Sequence, residues 1–308
     1  MLAATSPSDL DSFGGCKCLT AVSRGFFYVT RINGRWFLID PDGFAFIIRG
    51  VNYVRFNADV SINGDVPYTE NALRKYGSRE AWVKATASRL REWGFNTLGA
   101  WSDIDLGIPY TVILSVTPSY YRLKGGSLAR RTLVLARNPE VLWQPFGTFP
   151  DVYDPDFVKA AESAASQLSK PKDPMLVGYF TDNEVDFNPE VIFAEYADMT
   201  PGEPGKVEFI RALASYFNND VKEFNSRTGM RIKGFDDLMD YKYRELQVIE
   251  AKAPVKDSLR GFKTTFAKQV ASRYSEVTVN AIRKFDPNHL VLGDRRPGAN
   301  GKEAVEGF

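Results

Sequence analysis

The chain has 308 residues and a net charge of +1 at neutral pH, and 44% of its residues are hydrophobic and 25% charged. These values are ordinary for a globular protein with one large domain or two average ones. The nearly balanced charge gives no indication of nucleic acid or another polyanion as a partner. No apolar run is long enough to cross a membrane as a helix, so we expect no membrane partner either.

The scarcest residue types exclude several kinds of catalytic site. A single histidine, His289, cannot form a multi-histidine zinc site, and any Ser-His-Asp triad would have to use it. Cys16 and Cys18 are too few for a disulfide framework or a four-ligand metal site, and we expect them to be reduced thiols. We therefore expect no metal and no cofactor. Carboxylates would have to perform any acid–base chemistry.

The first 45 residues are predicted to form two segments. Residues 1–23 are small and polar, and we expect them to be loosely ordered. They contain no basic region followed by an apolar stretch, as a signal peptide would, which indicates a cytoplasmic protein. Residues 24–45 predict a β-hairpin cap, because two β-rich runs flank Asn33 and Gly34, a strong signal for a two-residue turn.

Strands and helices alternate along the rest of the chain. Apolar runs that end in polar residues predict five core strands, at about residues 44–54, 95–103, 110–117, 175–181 and 289–295. Amphipathic segments predict helices between them, at about residues 78–94, 154–168, 207–229 and 262–285. This alternation is typical of an α/β fold with a parallel sheet covered by helices. The glycine-rich fingerprints of dinucleotide and nucleotide phosphate sites are absent from the sequence.

The end of the fourth predicted strand suggests where the chemistry lies. Its apolar run stops at the tripeptide D-N-E, which is Asp182, Asn183 and Glu184. Polar groups at the carboxyl end of a parallel strand lie where α/β folds place their active sites. Glu184 could give or take a proton at a reacting oxygen, and the amide of Asn183 could hold a substrate hydroxyl.

Several motifs, in order along the chain, resemble the (β/α)8 glycoside hydrolases of clan A. They are G-V-N-Y at 50–53, W-G-F-N-T-L-G-A-W-S at 93–102, F-P-D-V-Y-D-P-D-F at 149–157 and D-N-E at 182–184. The sequence is most similar to the β-agarase family, family 50, and more distantly to β-galactosidase-type enzymes. This resemblance covers roughly residues 30–296 and implies a TIM-barrel fold, with residues 46–308 as the catalytic domain.

The resemblance also implies roles for individual residues. In this clan the glutamate after an asparagine at the end of strand four is the general acid/base, which corresponds to Glu184. The asparagine, here Asn183, bonds the sugar 2-hydroxyl. The nucleophile is a glutamate at the end of strand seven, but only about five core strands are recognisable here. The barrel is therefore predicted to be incomplete and the nucleophile is unknown. Asp103 and Asp294 are weak substitutes, since carboxylates at strand ends more often pair with arginines.

Other strand-end residues are candidate substrate contacts. Asn52 and Arg55 follow the first predicted strand, and hydrogen bonds between loops are the alternative role for them. Trp101, at the end of the second strand, is a candidate platform for a sugar ring, or it simply packs. Three aromatic residues in the long segment after the third strand could line a subsite or pack on the surface: Tyr120, Tyr121 and Trp143.

Two functional hypotheses follow from the sequence. The first is a retaining glycoside hydrolase that acts on β-glycosidic bonds in a galactose-containing oligo- or polysaccharide. The second is a truncated or degenerate barrel that binds carbohydrate without hydrolysing it. An open sheet would expose its edges and so favour self-association.

Overall fold

The computed structural model describes residues 9–57, 60–125, 149–168 and 172–296, and the chain divides into two compact units. Unit 1 comprises residues 1–114, 169–180 and 286–292. Unit 2 comprises residues 115–168, 181–285 and 293–308. No helix in the described ranges is both long and apolar enough to span a membrane.

Unit 1 begins with a four-stranded antiparallel sheet. Its strands are β1 (Cys16–Thr20), β2 (Tyr28–Ile32), β3 (Arg35–Ile39) and β4 (Phe44–Phe46), in the order β1-β4-β3-β2. The predicted hairpin is confirmed, because β2 and β3 pair across Asn33 and Gly34, which have φ of 50° and 79°. The presence of β1 departs from the loose order expected before residue 23. The predicted domain boundaries themselves stay a prediction.

The expectation of reduced thiols is wrong in this structure, because Cys16 and Cys18 form a disulfide. Side chains two residues apart in a strand project to the same face. The pairing of β1 with β4 is also irregular between Cys16 and Thr20. The bond therefore crosses a single residue within β1, a short-range pairing that a cysteine count does not reveal.

The five predicted core strands form one sheet. They are β5 (Gly50–Val51), β6 (Thr97–Leu98), β7 (Tyr110–Ile113), β8 (Leu176–Asn183) and β9 (Leu290–Arg295), hydrogen-bonded in the order of the sequence. β5 to β8 pair in parallel. Sequential order is that of a singly wound barrel, whereas a doubly wound sheet reverses direction at a switch point. β5 and β9 are the edges of this sheet, so the described residues form a mixed α/β fold without a closed barrel.

The single strand predicted for residues 44–54 is in fact two strands in two sheets, and Asn96 explains the break. The Asn96 side chain donates to the carbonyl oxygen of Ile47 at 2.9 Å and accepts from the backbone N–H of Arg49 at 2.8 Å. These bonds satisfy two backbone groups of the segment between β4 and β5. The chain therefore leaves the antiparallel sheet and enters the parallel one within three residues.

Two helices of unit 1 lie between β5 and β6 in the sequence. Helix α2 (Arg79–Glu92) begins as predicted at Ser78, whose hydroxyl accepts from the N–H of Ala81 at 3.2 Å. Helix α1 (Pro67–Tyr76) lies in a stretch for which no helix was predicted, and none of its residues is buried.

Unit 2 is mainly helical. Its α-helices are α3 (Val116–Leu123), α4 (Pro155–Ser166), α5 (Pro189–Asp198), α6 (Pro204–Tyr216), α7 (Val221–Thr228), α8 (Tyr243–Ala251) and α9 (Arg260–Phe285). Asp154 caps α4 through the N–H of Asp156 at 2.9 Å, as predicted. The third strand is shorter than predicted, because α3 begins at Val116. The helix predicted for 207–229 divides into α6 and α7, and α5 was not predicted.

Edge-to-face aromatic contacts hold the helices of unit 2 together. Phe193 of α5, Phe209 of α6 and Phe266 of α9 are almost fully buried. The ring of Phe209 lies 5.3 Å from that of Phe193 and 5.4 Å from that of Phe266. Such pairs add to the free energy gained by burying the rings. Much of the aromatic content of the sequence therefore forms this core.

Candidate active site

Glu184 lies at the carboxyl end of β8, as the sequence predicted. The strand is buried along most of its length, whereas Glu184 is exposed. The backbone of Glu184 is left-handed, with φ of 59°. Its N–H donates to the carbonyl oxygen of Arg295 at 2.7 Å, and the next N–H, of Val185, donates to Asp294 Oδ1 at 3.4 Å. The end of β9 therefore holds the turn that presents Glu184.

Asn183 is oriented by a contact from β9. Its side-chain oxygen, Oδ1, accepts a hydrogen bond from the guanidinium group of Arg295. Because arginine can only donate, this contact fixes which end of the Asn183 amide is the oxygen. The amide nitrogen is therefore the end that could donate to a ligand.

Asp182 does not accompany Glu184 on the exposed side. It is 1% exposed and accepts from Thr117 N at 2.9 Å, Thr117 Oγ1 at 2.9 Å and the Tyr274 hydroxyl at 2.6 Å. Burial raises the pKa of Asp182 to about 6, and these hydrogen bonds oppose the rise. Strand alternation would place residues 182 and 184 on the same face, but the left-handed backbone at Glu184 interrupts it. Asp182 therefore links the end of β8 to Thr117 of α3 and Tyr274 of α9.

Asp294 is a second buried carboxyl group in unit 2, and it was considered in the sequence only as a weak substitute nucleophile. It is 8% exposed. Its Oδ2 atom has no hydrogen-bond partner within the described ranges. Burial raises its pKa to about 7, with the charges of Asp182 and Glu184 adding to the rise and the N–H of Val185 opposing it. A carboxyl group whose charged form is disfavoured by burial is poorly suited to attack a sugar.

The candidate substrate contacts of unit 1 lie at the ends of β5 and β6. Asn52 Oδ1 accepts from the N–H of Ala100 at 3.0 Å, and a β-carbon at Gly99 would be only 2.0 Å from it. Asn52 thus ties the two strand ends together. This structural role leaves its part in substrate binding a prediction.

Two exposed aromatic residues accompany Asn52 in unit 1. Trp101 is 49% exposed and Tyr53 is 45% exposed. The guanidinium group of Arg55 lies 5.7 Å from the centre of the Tyr53 ring, and the Tyr53 N–H donates to the carbonyl oxygen of Ala100 at 2.9 Å. The sequence analysis named Trp101 and Arg55 but missed Tyr53, although it stands in the motif G-V-N-Y.

The remaining candidates have structural contacts. Asp103 accepts from the N–H of Phe56 at 2.9 Å and pairs with Arg79 at 3.4 Å, as a strand-end carboxylate often does. Tyr120 is buried in α3 and donates to Asp154 Oδ2 at 3.0 Å, so it is a packing residue rather than part of a subsite. The Tyr121 ring packs against it. Trp143 lies outside the described residues.

His289 is fully buried in unit 1, directly before β9. Its ring nitrogens contact Asp286 Oδ2 at 2.6 Å and the carbonyl oxygen of Asp173 at 2.9 Å. In the described part of the chain, no three His, Cys, Asp or Glu side chains are arranged to hold a metal ion.

Four parallel strands in succession are each followed closely by a non-glycine residue in the left-handed conformation. These residues are Tyr53, Trp101, Ser115 and Glu184, with φ between 58° and 61°. For a residue with a β-carbon this conformation costs about 1–2 kcal/mol. Backbone strain of this kind clusters at functional sites, where the surrounding structure holds it in place. Backbone strain of this kind therefore marks Tyr53 and Trp101 in unit 1 and Ser115 and Glu184 in unit 2.

Comparisons with known proteins agree with the motifs. No protein family model matches the chain. β-Agarase A and β-agarase B of Vibrio sp. (strain JT0107) are 23% and 21% identical to it over 92% and 87% of its length. The chain is similar to the family 50 β-agarases. It spans about a third of the length of each of these two β-agarases.

Solved β-agarase structures have the same fold. An exo-β-agarase superposes with a TM-score of 0.74 and 21% identity, over 98% of this chain and 50% of its own. The agarase AgWH50C superposes with a TM-score of 0.75 and 20% identity, over 97% of this chain and 49% of its own. The resemblance inferred from the motifs is therefore confirmed, and the chain spans about half of these β-agarase structures.

Proposed function

We propose that this β-agarase-like chain belongs to a retaining glycoside hydrolase that cleaves β-glycosidic bonds in a galactose-containing oligo- or polysaccharide, with Glu184 as general acid/base. The observation that carries the proposal is the exposed position of Glu184 at the end of a buried strand, on a backbone held by β9. Similarity to β-agarases supports an agarose-type substrate.

In this mechanism Glu184 protonates the leaving glycosidic oxygen in the first step and activates water in the second. A retaining enzyme needs a second carboxylate about 5–5.5 Å away as the nucleophile. Two weak candidates for this nucleophile lie within the described ranges. Asp103 pairs with Arg79, and Asp294 is buried. The nucleophile therefore remains unassigned.

The proposed substrate contacts are Asn183, Trp101, Asn52 and Arg55. The amide nitrogen of Asn183 would donate to a hydroxyl of the sugar, since its oxygen already accepts from Arg295. The exposed ring of Trp101 offers an apolar face on which a sugar ring could stack. These roles rest on position and chemistry, and each can be tested by substitution.

A second candidate function is carbohydrate binding without hydrolysis. The open edges of the five-stranded sheet favour it, because a barrel that is not closed need not bring an opposing carboxylate to Glu184. The same open edges would favour self-association of the chain. This candidate predicts that oligosaccharides bind and are not consumed.

Substitution of Glu184 by glutamine separates the two candidates. Hydrolysis of agaro-oligosaccharides should fall by about 10²–10⁴-fold, the usual contribution of a general acid or base, while calorimetric binding is retained. Glu276→Gln is the matched control, because Glu276 is exposed and pairs with Arg273 one turn away on α9. Binding by the wild-type chain with no turnover would favour the second candidate. Equal hydrolysis by both variants and the wild type would exclude Glu184 as the acid.

A further inference from the structure

The conformation of Glu184 has to be maintained against its own backbone preference. A left-handed glutamate is disfavoured unless neighbouring groups hold it. Two successive N–H groups, those of Glu184 and Val185, are bound by β9, the first through the Arg295 carbonyl oxygen and the second through Asp294 Oδ1. Asp294 is thus a side chain of β9 that binds the backbone of this turn.

The surroundings of Asp294 disfavour a charge on it. The ionisable groups that act on it are Asp182 and Glu184 from β8 and its margin, Tyr274 from α9, and Arg296 from its own strand end. Two of these are carboxylates, and Arg296 lies over the ring of Phe187 at 5.2 Å. Because Oδ2 is buried without a hydrogen-bond partner in the described ranges, ionisation would leave a charge without solvation.

Asp182 and Asp294 are two carboxyl groups in contrasting environments. Asp182 accepts hydrogen bonds from Thr117 and Tyr274, which favour its ionised form. Asp294 has a single long hydrogen bond, and burial raises its pKa to about 7, above that of Asp182. Two acids whose surroundings separate their proton affinities commonly have separate roles. The three hydrogen bonds to Asp182 favour its ionised form, and the single long bond to Asp294 favours the charge less.

We propose that Asp294 is a positioning residue for Glu184, which holds the backbone turn after Glu184 by accepting a hydrogen bond from the Val185 N–H at a buried position. The inference rests on the proposed function of Glu184 for its catalytic meaning, but its structural content does not. When Asp294 loses its proton, a new negative charge lies near Asp182 and Glu184. Repulsion between the carboxylates then disturbs the turn that presents Glu184.

Amide NMR of the full chain tests this directly. We expect the amide signals of Glu184 and Val185 to titrate with a midpoint near pH 7, the pKa of Asp294. Asp294→Asn keeps an oxygen for the Val185 N–H and removes the ionisable group, so this titration should be lost. Asp294→Ala removes both and should displace the two signals at every pH. Asp186→Asn is the control, because Asp186 is a buried carboxylate of the same turn that binds Asn188 instead.

The outcomes separate this inference from the proposed function. If the midpoint disappears in Asp294→Asn and remains in Asp186→Asn, Asp294 positions Glu184, whether or not the chain hydrolyses agaro-oligosaccharides. If the chain is active, the alkaline fall in kcat should also move in Asp294→Asn while KM changes little. A wild-type midpoint that survives in Asp294→Asn, or amides that do not titrate at all, would overturn the proposal.

Discussion

Gly178 of β8 lies directly against Leu290 of β9. A β-carbon on Gly178 would be 2.5 Å from the Leu290 carbonyl oxygen and 2.9 Å from its Cβ, both closer than real contacts allow. The N–H of Glu184 also donates to the carbonyl oxygen of Arg295. The second contact lies six residues after Gly178 on one chain segment and five residues after Leu290 on the other, so β8 and β9 run in the same direction. The approach at Gly178 therefore helps to align the strand ends.

Gly178→Ala should accordingly destabilise the protein. Backbone displacement of this kind typically costs about 1–3 kcal/mol, and the midpoint of urea unfolding should fall to match. The matched control is Gly234→Ala, because a β-carbon on Gly234 would meet nothing within 4 Å and its φ of −154° suits any residue. Equal stability of the two variants would show that β9 moves readily at this point.

Asp40 predicts a pH-dependent contribution to stability in unit 1. It is fully buried, its Oδ1 accepts from the N–H groups of Asp42, Gly43 and Phe44, and its Oδ2 has no hydrogen-bond partner in the described part of the chain. Burial raises the pKa of Asp40 to about 7, and the charge of Asp11 adds to the rise. The folded state thus keeps a proton that the unfolded state releases, and stability falls as the pH rises from about 4 to 7.

Asp40→Asn should remove this dependence, because asparagine keeps the Oδ1 acceptor and does not ionise. We expect its melting temperature to exceed that of the wild type at pH 8, by about 2–4 °C for each kcal/mol regained, and the difference to shrink at pH 4. Calorimetric scans at the two pH values provide the measurement. A constant difference between the variants would mean that Asp40 is ionised in the folded protein throughout this range.

Trp101 is predicted to contribute to sugar binding. Trp101→Ala should weaken the binding of agaro-oligosaccharides by about tenfold, as expected when an aromatic residue worth more than 1 kcal/mol is removed. Trp93→Ala is the control, since Trp93 is 67% exposed at the end of α2 and belongs to none of the proposed contacts. Titration calorimetry measures the affinity of each variant for the oligosaccharide. Identical affinities of the two variants would show that Trp101 does not contribute to sugar binding.

Local signals in the sequence predicted part of the fold because they act between near neighbours. The turn at Asn33 and the caps at Ser78 and Asp154 each depend on groups within three residues. The buried run of β8 and the exposed glutamate after it follow from the same kind of pattern. Hence the position of Glu184 could be inferred before any coordinates.

Other features depend on contacts that are distant in the sequence. Asn96 divides the strand predicted at 44–54 through its bonds to Arg49 and Ile47. These residues precede Asn96 by 47 and 49 positions in the sequence. The bond of Asp294 to Val185 spans 109 positions, so the role of Asp294 could not be inferred until β9 was placed beside β8. Helix α1 was not predicted, and none of its residues is buried.

The leaving-group dependence of hydrolysis tests the central proposal, that Glu184 delivers the proton, most directly. The kcat/KM of Glu184→Gln should be compared with that of the wild type on agaro-oligosaccharides and on an aryl β-galactoside whose phenolate leaves without protonation. We predict a loss of about 10²-fold or more on the first substrate and a much smaller loss in the glycosylation step of the second. Equal losses on the two substrates would contradict the assignment of Glu184 as the proton donor.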